Sequence, residues 1–414
     1  MKHVLFFLGS GVSLASGMPD VETLTASVFN KPMRYGNDRY TEDAACAVYG
    51  EPDPPEVATV RSLIEKVQSV AETYYDQFTW DREVNYEDLF YICRQIYQCE
   101  KGESPSSAPL VAEIKESDEV DLLDAPSQDD RSDLQYTALH AQLLIRGVVQ
   151  TELDDEQREV KGLDVIRQVI EDPEVRKTTI VTLNHDRLVE RMLEGNNPDR
   201  WTCDYADGFG NAKGLAREYE AGNIFNSEES VRVIKPHGSV DWFWAQKVFS
   251  GSDYQSLPKT YIKHNDPTKK HIRELSNGQG TKFKIIASGP TFLTGFEKEQ
   301  SYGVDIFGDM VYAMNSGLED ADLVLVSGFG WKDQGMSHRL LNALEWNRER
   351  RIVLLYKRDA LRSDVLCNRA SYLYRAGEQY RRLYRQGQII TEVNSFLSGT
   401  DWEEVKQAVD WNDQ

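Results

Sequence analysis

Polar side chains with catalytic or binding chemistry directly follow two short apolar runs of the chain. Asn184 and Asp186 come after residues 178–183, and His237 comes after residues 232–234. An imidazole in such a position could act as a general base near neutral pH. Without a ligand, Asn184 and Asp186 could instead cap the helix that follows them, and a lone histidine could have a structural role.

Glycine-rich turns follow two other apolar runs. Gly9-Ser-Gly11 follows residues 2–8, and Ser327-Gly-Phe-Gly330 follows residues 321–326. A glycine pair directly after a strand would let the backbone approach a phosphate closely, as dinucleotide folds require. A tight strand-to-helix turn with no ligand also accounts for such a pair.

Short apolar strands separated by helices would hold these groups in place. The strand-like runs are residues 2–8, 178–183, 232–234, 284–287, 321–326, 351–356 and 389–393. Apolar strands that alternate with helices are typical of a parallel sheet, in which ligand-binding loops lie at the carboxyl ends of the strands. The sequence therefore predicts an α/β fold with a Rossmann-like parallel sheet.

A large helical insertion is predicted between the first strand and the second. Apolar residues recur at helical spacing from about Pro54, and again over residues 134–153 and 163–170. Asn85-Tyr-Glu-Asp88 has helix-capping chemistry, and residues 101–133 are predicted to form an exposed acidic loop. The predicted domains are residues 1–50 and 175–414 for the sheet, and residues 51–174 for the helical insertion.

Composition excludes several classes of function. The 414 residues carry 47 Lys and Arg against 68 Asp and Glu, and the resulting net charge of -21 disfavours direct nucleic-acid binding. No apolar run approaches the roughly 20 residues of a membrane span, so we expect a cytoplasmic protein. The 5 cysteines are sparse and form no Cys-x-x-Cys pair, which favours reduced thiols and no metal site.

The order of these motifs along the chain resembles the sirtuin family. The motifs are Gly9-Ser-Gly-Val-Ser13 with Gly17-Met-Pro19, then Thr182-Leu-Asn-His-Asp186, Lys235-Pro-His-Gly-Ser239 and Asp322-Leu-Val-Leu-Val-Ser-Gly-Phe-Gly330. The resemblance covers the first thirty or so residues and, in patches, residue 178 to about residue 356.

The resemblance implies that NAD is the ligand and assigns each motif to a part of it. Gly9, Ser10, Gly11 and Ser13 would hold the pyrophosphate, with Gly17 and Pro19 in the same binding loop. Asn184 and Asp186 would hold the nicotinamide and its ribose, and His237 would face the ribose hydroxyls. Gly328 and Gly330 would line the far phosphate and the adenosine side.

The sequence departs from the sirtuin pattern at two places. Sirtuin deacylases carry two cysteine pairs on a zinc ribbon after the His-Gly motif, whereas residues 241–284 contain no cysteine. The usual asparagine after the adenosine-side strand is replaced, since Leu355-Tyr-Lys357 stands there. The chain thus resembles the sirtuin-like NADases of bacterial antiviral defence, which have a similar helical insertion and a segment like Asn85 to Asp88.

This resemblance implies an NAD+ hydrolase that releases nicotinamide and ADP-ribose. Asn184, His237 and Asp186 would be its catalytic residues, without a metal, and NAD depletion would be its role in anti-phage defence. It further implies a homo-oligomer paired with a HerA-type hexameric ATPase. The basic segments 339–351 and 375–385 would be subunit interfaces or solvated helix faces. Alternative hypotheses are a regulator that binds NAD or ADP-ribose without catalysis, and a scaffold subunit.

Overall fold

The computed structural model describes most of the chain. The described residues are 2–31, 33–37, 45–49, 55–77, 83–116, 120–125, 130–154, 157–196, 200–210, 214–225, 228–248, 258–265, 274–276, 278, 280–286, 290–294, 298–331, 333–356, 374–390, 393 and 395–411. Within these ranges, no helix combines the length and the apolar character needed to cross a membrane.

The helices and strands are numbered here along the chain. The helices are α1 (Val21–Asn30), α2 (Pro55–Gln77), α3 (Tyr86–Glu100), α4 (Ala108–Lys115), α5 (Asp133–Leu153), α6 (Asp164–Glu171), α7 (Leu188–Leu193), α8 (Gly222–Phe225), α9 (Lys298–Ser301), α10 (Asp305–Asp320), α11 (Gln334–Trp346), α12 (Tyr374–Arg385) and α13 (Trp402–Ala408). The strands are β1 (Lys2–Leu8), β2 (Met33–Asn37), β3 (Ala45–Tyr49), β4 (Val175–Thr182), β5 (Ala216–Glu218), β6 (Val231–Ile234), β7 (Trp242–Val248), β8 (Lys259–His264), β9 (Glu274–Ser276), β10 (Lys282–Ile285), β11 (Leu323–Ser327), β12 (Arg351–Leu355) and β13 (Ile389–Ile390). Short 3-10 helices lie at Ser10–Ser16, Pro105–Ser107 and Leu397–Gly399.

The chain divides into two compact units. The first unit comprises Met1–Met18, Glu156–Ile285 and Glu299–Gln414, and the second comprises Pro19–Asp155 and Ile286–Lys298. The second unit contains α1 to α5 and the antiparallel pair of β2 and β3. These bounds differ from the sequence-based division at residues 51 and 174, because α1 groups with the helices and α6 groups with the sheet.

A six-stranded parallel sheet forms the centre of the first unit. Its order is β13-β12-β11-β1-β4-β6, so the first strand along the chain lies in the middle, with the next two on one side and the last three on the other. This is the strand order of dinucleotide-binding Rossmann folds. The predicted α/β fold class is confirmed. Continuous burial of Val4 to Leu8 reflects a sheet that is covered on both faces.

The sheet register brings the carboxyl ends of its strands to one level. Leu8 is opposite Thr182 on one side and Ser327 on the other, and Ser327 is opposite Leu355. The strand order reverses between β1 and β11, and in open α/β sheets ligands bind outside the carboxyl ends at such a point. The loops that carry the predicted site residues therefore leave the sheet at the same edge.

One predicted strand belongs to a different sheet. The run at residues 284–287 was expected in the parallel sheet, but β10 pairs antiparallel with β7 and β9. Together with β5 and β8 they form a five-stranded antiparallel sheet in the order β5-β8-β7-β10-β9. Its small core consists of Ala216, Phe243, Ala245, Ile262 and Phe283. In β10, Phe283 is buried while Lys282 is exposed, an alternation that suits a sheet with one face in solvent.

The helices predicted in the second unit are present. The predicted cap at Asn85 is confirmed as a capping box, in which Asn85 Oδ1 accepts from the Asp88 amide and the Asp88 carboxylate accepts from the Asn85 amide. The predicted loop at residues 101–133 is partly wrong, since α4 lies within it. Val111 and Ile114 are buried there. These two apolar side chains lie on the same face of the helix and are enough to pack it.

Candidate functional site

Three predicted site residues meet at the carboxyl ends of β1 and β4. The Asn184 amide donates from Nδ2 to Ser13 Oγ at 2.8 Å and to the Gly9 carbonyl oxygen at 3.1 Å. Ser13 in turn donates from Oγ to Asp186 Oδ2 at 2.6 Å. Ser13, Asn184 and Asp186 are all buried. The sequence motifs after β1 and β4 thus form one hydrogen-bonded cluster.

Asp186 also has the structural role that the sequence suggested as an alternative. Its Oδ1 accepts from the Leu188 amide at 3.0 Å, at the start of α7. Burial raises the pKa of the Asp186 carboxyl above its usual value, and the nearby Lys235 amine and the Ser13 hydroxyl oppose that shift. A buried carboxyl whose oxygens accept from Ser13 and from a helix start is well suited to holding the loop in one conformation.

His237 lies in the tight turn after β6. Gly238 adopts φ of 79° there and donates its amide to the Lys235 carbonyl at 3.0 Å, a conformation that favours glycine. The His237 ring is buried, and its Nε2 lies 2.8 Å from the Tyr302 hydroxyl and 3.2 Å from Asp333 Oδ2. The Tyr302 hydroxyl donates to the same Asp333 oxygen at 3.1 Å.

The His237 turn and the Asn184 loop are joined directly. The His185 carbonyl accepts from the Val240 amide at 3.0 Å and from Ser239 Oγ at 3.2 Å. The rings of His185 and His237 are 6.3 Å apart. The structure therefore brings the catalytic candidates Asn184, Asp186 and His237 to neighbouring loops at one edge of the sheet.

The glycines after β1 and β11 pack against each other. The Gly9 and Gly11 amides donate to the carbonyls of Ser327 and Gly328, both at 3.0 Å. A Cβ added at Gly9 would lie 2.4 Å from the Gly328 carbonyl oxygen, and one at Gly11 would lie 2.8 Å from the Gly328 Cα. The contact between the two loops requires Gly9, Gly11 and Gly328, so the ligand-free explanation of these glycines has a direct physical basis.

Other predicted binding residues are not held in this way. A Cβ at Gly17 or Gly330 would meet no atom within 4 Å, and Ser10 is exposed. Gly17 ends the 3-10 helix at Ser10–Ser16 with φ of 74°. Pro19 belongs to the second unit, where it precedes the Asp20 side chain that caps α1 by accepting from the Thr23 amide at 2.8 Å.

Tyr356 directly follows β12, at the position where the resemblance led us to expect an asparagine. Its hydroxyl donates to the Phe329 carbonyl at 2.5 Å and accepts from the Phe329 amide at 3.0 Å. Burial raises the pKa of the Tyr356 hydroxyl above its usual range. Tyr356 therefore holds the Gly328 loop by its backbone.

A network of buried charges lies beneath the Asn184 and His237 loops, and sequence reasoning missed it. Its members are Arg187, Glu190, Asp207, Arg217, Lys235, Asp241 and Lys263. Lys235 Nζ donates to the Asp186 carbonyl and lies 3.1 Å from Glu190 Oε1. Lys263 Nζ lies 2.9 Å from Asp207 Oδ2, which also pairs with Arg217. The network joins the end of the parallel sheet to the antiparallel sheet.

Opposite charges favour the ionised forms of Glu190, Asp207 and Lys263 in spite of their burial. Burial disfavours the charged carboxylates of Glu190 and Asp207, yet the nearby lysines and Arg217 hold the pKa of both groups below the usual values. Burial likewise opposes the charge of Lys263, but Asp207 and its neighbours raise the pKa of that amine well above its usual value. Among the described residues, no group of three or more His, Cys, Asp or Glu side chains has the geometry of a metal site.

Comparison with known proteins gives one family match, over residues 178–284. That segment matches the SIR2-like domain. It contains Asn184, Asp186, His237 and the buried charge network. No curated protein matches the chain.

Solved structures of Sir2 proteins are similar to the chain at low identity. A Sir2 homologue in complex with NAD is 13% identical, with 93% of this chain and 90% of that chain covered and a TM-score of 0.32. A mutant Sir2 homologue in complex with ADP-ribose is 12% identical, with coverages of 93% and 92% and a TM-score of 0.30.

Proposed function

We propose that this chain binds NAD+ and hydrolyses it to ADP-ribose and nicotinamide. The observation that carries the proposal is the Ser13, Asn184 and Asp186 cluster at the carboxyl ends of β1 and β4, with the His237 turn beside it. The SIR2-like match over residues 178–284 includes both loops after β4 and β6. A polar, buried cluster at that edge of a Rossmann sheet is where a dinucleotide would bind.

The residues at this edge suit a dinucleotide. Space beside Gly17 and Gly330 is open, since an added Cβ at either would meet no atom within 4 Å. The exposed hydroxyl of Ser10 would contact the pyrophosphate. Gly9 and Gly11 would act indirectly, because their close contact with Gly328 sets the course of both loops.

Cleavage of the bond between nicotinamide and ribose passes through an oxocarbenium-like transition state, and water then adds to the ribose carbon. The Asn184 amide hydrogens are both engaged, by Gly9 and Ser13, so its Oδ1 is left to accept from a water or from a ribose hydroxyl. His237 would take the proton from that water or hydroxyl. Asp186, held by Ser13, would hold the loop that presents Asn184.

The role assignment is tested by Asn184→Ala and His237→Ala. We expect each variant to lower nicotinamide release at least about 100-fold, because each removes a group that acts on the attacking water or a hydroxyl. Both should keep the wild-type circular dichroism spectrum, since the side chains belong to loops. His338→Ala is the control, as it removes an exposed histidine on α11. Near-normal turnover in either site variant would contradict the assigned role.

We also propose a biological setting, because the chain resembles sirtuin-like NADases. The chain would act in bacterial anti-phage defence by depleting NAD, as a homo-oligomer gated by a HerA-type hexameric ATPase. The net charge of -21 supports the need for a partner. A chain this acidic is unsuited to bind nucleic acid, so the partner would supply any such contact.

A second candidate function is a regulator that binds NAD or ADP-ribose without catalysis. The hydrogen bonds of the Ser13, Asn184 and Asp186 side chains to one another and to the backbone favour it, because such a cluster could shape a binding site without taking part in proton transfer. Tight NAD binding without nicotinamide release would distinguish this regulator from the hydrolase.

A further inference from the structure

We propose that Asp333 and Tyr302 are positioning residues that hold His237 in one tautomer, with the proton on Nε2 and the basic lone pair on Nδ1. The catalytic consequence rests on the proposed hydrolase function, whereas the tautomer itself does not. Sequence reasoning assigned no role to Tyr302 or Asp333.

Hydrogen-bond chemistry at three atoms determines the tautomer. The Asp333 carboxylate accepts hydrogen bonds and donates none, and the Tyr302 hydroxyl has one proton, which it donates to Asp333 Oδ2 at 3.1 Å. His237 Nε2 lies 3.2 Å from that oxygen and 2.8 Å from the Tyr302 oxygen. If Nε2 carried no proton, its lone pair would face the lone pairs of the Tyr302 and Asp333 oxygens, and no hydrogen bond would form. Because the Tyr302 proton goes to Asp333, the contact between Nε2 and the Tyr302 oxygen is a hydrogen bond only if Nε2 carries a proton.

Nδ1 is then the basic nitrogen of His237. A neutral imidazole carries one proton, so a proton on Nε2 leaves the lone pair on Nδ1. No described residue makes a hydrogen bond to Nδ1. This nitrogen is therefore left to accept the proton of a water or of a ribose hydroxyl.

Both positioning residues are themselves held in place. Asp333 Oδ1 accepts from the Met336 amide at 2.9 Å and caps α11, which orients Oδ2 toward His237. The Tyr302 ring is buried and nearly parallel to the His237 ring, at 7° with centroids 5.9 Å apart. The Arg339 guanidinium lies over the Tyr302 ring, 5.1 Å from its centroid. A carboxylate anchored by a helix start is a rigid partner for a histidine base.

Asp333→Asn tests the assignment sharply, because asparagine can cap a helix as well as aspartate does. The cap needs an oxygen toward the Met336 amide, so the amide NH2 must face His237. That NH2 would donate to Nε2 and move the ring proton to Nδ1. We expect kcat for nicotinamide release to fall roughly 100-fold or more, with KM for NAD changed by no more than about 3-fold.

The tautomer is read directly by NMR of protein labelled with ¹⁵N at histidine, without NAD. The His237 signals are assigned by their loss in His237→Gln. We expect a protonated Nε2 and an unprotonated Nδ1 in the wild type, and the reverse in Asp333→Asn. In Tyr302→Phe the ring stack and the Asp333 contact remain, so the wild-type tautomer should persist with a smaller loss of turnover.

Asp309→Asn is the matched control. Asp309 accepts from the Tyr219 hydroxyl at 2.9 Å, which is a tyrosine–aspartate pair of the same unit outside the site. The Asp309→Asn variant should leave both the His237 NMR signals and the turnover unchanged. A wild-type spectrum with a proton on Nδ1, or wild-type kcat in Asp333→Asn, would overturn the assignment. If the wild type shows the expected tautomer but releases no nicotinamide, the assignment stands and the proposed function is wrong.

Discussion

Lys235 joins the Asn184 loop to the buried charges beneath it. Its amine donates to the Asp186 carbonyl and pairs with Glu190 at 3.1 Å, and it is 2% exposed. Loss of one partner from a buried pair is costly, because the remaining charge stays desolvated. We expect Lys235→Met to lower the free energy of unfolding by about 3–5 kcal/mol, as measured by urea denaturation.

Lys247→Met is the matched control for that measurement. Lys247 pairs with Glu218 at 2.7 Å, but both side chains are partly exposed. Exposed pairs contribute little, so this variant should lose no more than about 1 kcal/mol. Similar losses in the two variants would show that burial of the Lys235 pair does not matter.

The site residues that directly follow strands could be predicted from the sequence. Their partners, which lie far away along the chain, could not. Asn184, Asp186 and His237 stand out because each directly follows an apolar run. Lys263 and Asp207 carry no such signal, since isolated charged residues usually lie on the surface and their pairing comes from the fold. The same holds for Asp333, whose contact with His237 spans about a hundred residues of chain.

Among the structural elements, the glycine turns offer a test that distinguishes glycines needed for loop packing from glycines that would contact the ligand. We expect Gly9→Ala to be destabilised by about 3 kcal/mol, because its Cβ would lie 2.4 Å from the Gly328 carbonyl oxygen. Gly330→Ala should unfold at the wild-type temperature, since its Cβ meets nothing within 4 Å. If the open space at Gly330 holds the adenosine side of NAD, calorimetry should show weaker NAD binding in Gly330→Ala.

The opposite pattern would contradict this assignment. A Gly9→Ala protein as stable as the wild type would mean that the two loops can separate at little cost. Unchanged NAD affinity in Gly330→Ala would remove Gly330 from the binding site.

Elements of the parallel sheet were predictable from their continuous apolar runs, whereas membership of the second sheet was not. β1, β4, β6, β11 and β12 lie where the sequence placed them. β10 was assigned to the wrong sheet, because a short apolar run does not specify its pairing partner. α4 was missed because its apolar face is only Val111 and Ile114, within a stretch dominated by Asp, Glu, Ser and Pro.

For the whole molecule, we expect self-association. An unrestrained NADase would drain its own cell of NAD, so we expect a homo-oligomer gated by a partner such as a HerA-type ATPase. Light scattering should give a mass that is a multiple of the chain mass, and a larger complex after the ATPase is added. A monomer in both samples that is already fully active would contradict this model.

Nicotinamide release from NAD+ distinguishes the proposed hydrolase from the regulator. Purified wild-type chain, alone and with a candidate partner and phage-derived triggers, is incubated with NAD+, and the products are separated by chromatography. We expect equal amounts of nicotinamide and ADP-ribose from the wild type, and at least about 100-fold less of each from Asn184→Ala or His237→Ala. Tight NAD binding with no nicotinamide under any of these conditions would contradict the hydrolase and leave the regulator.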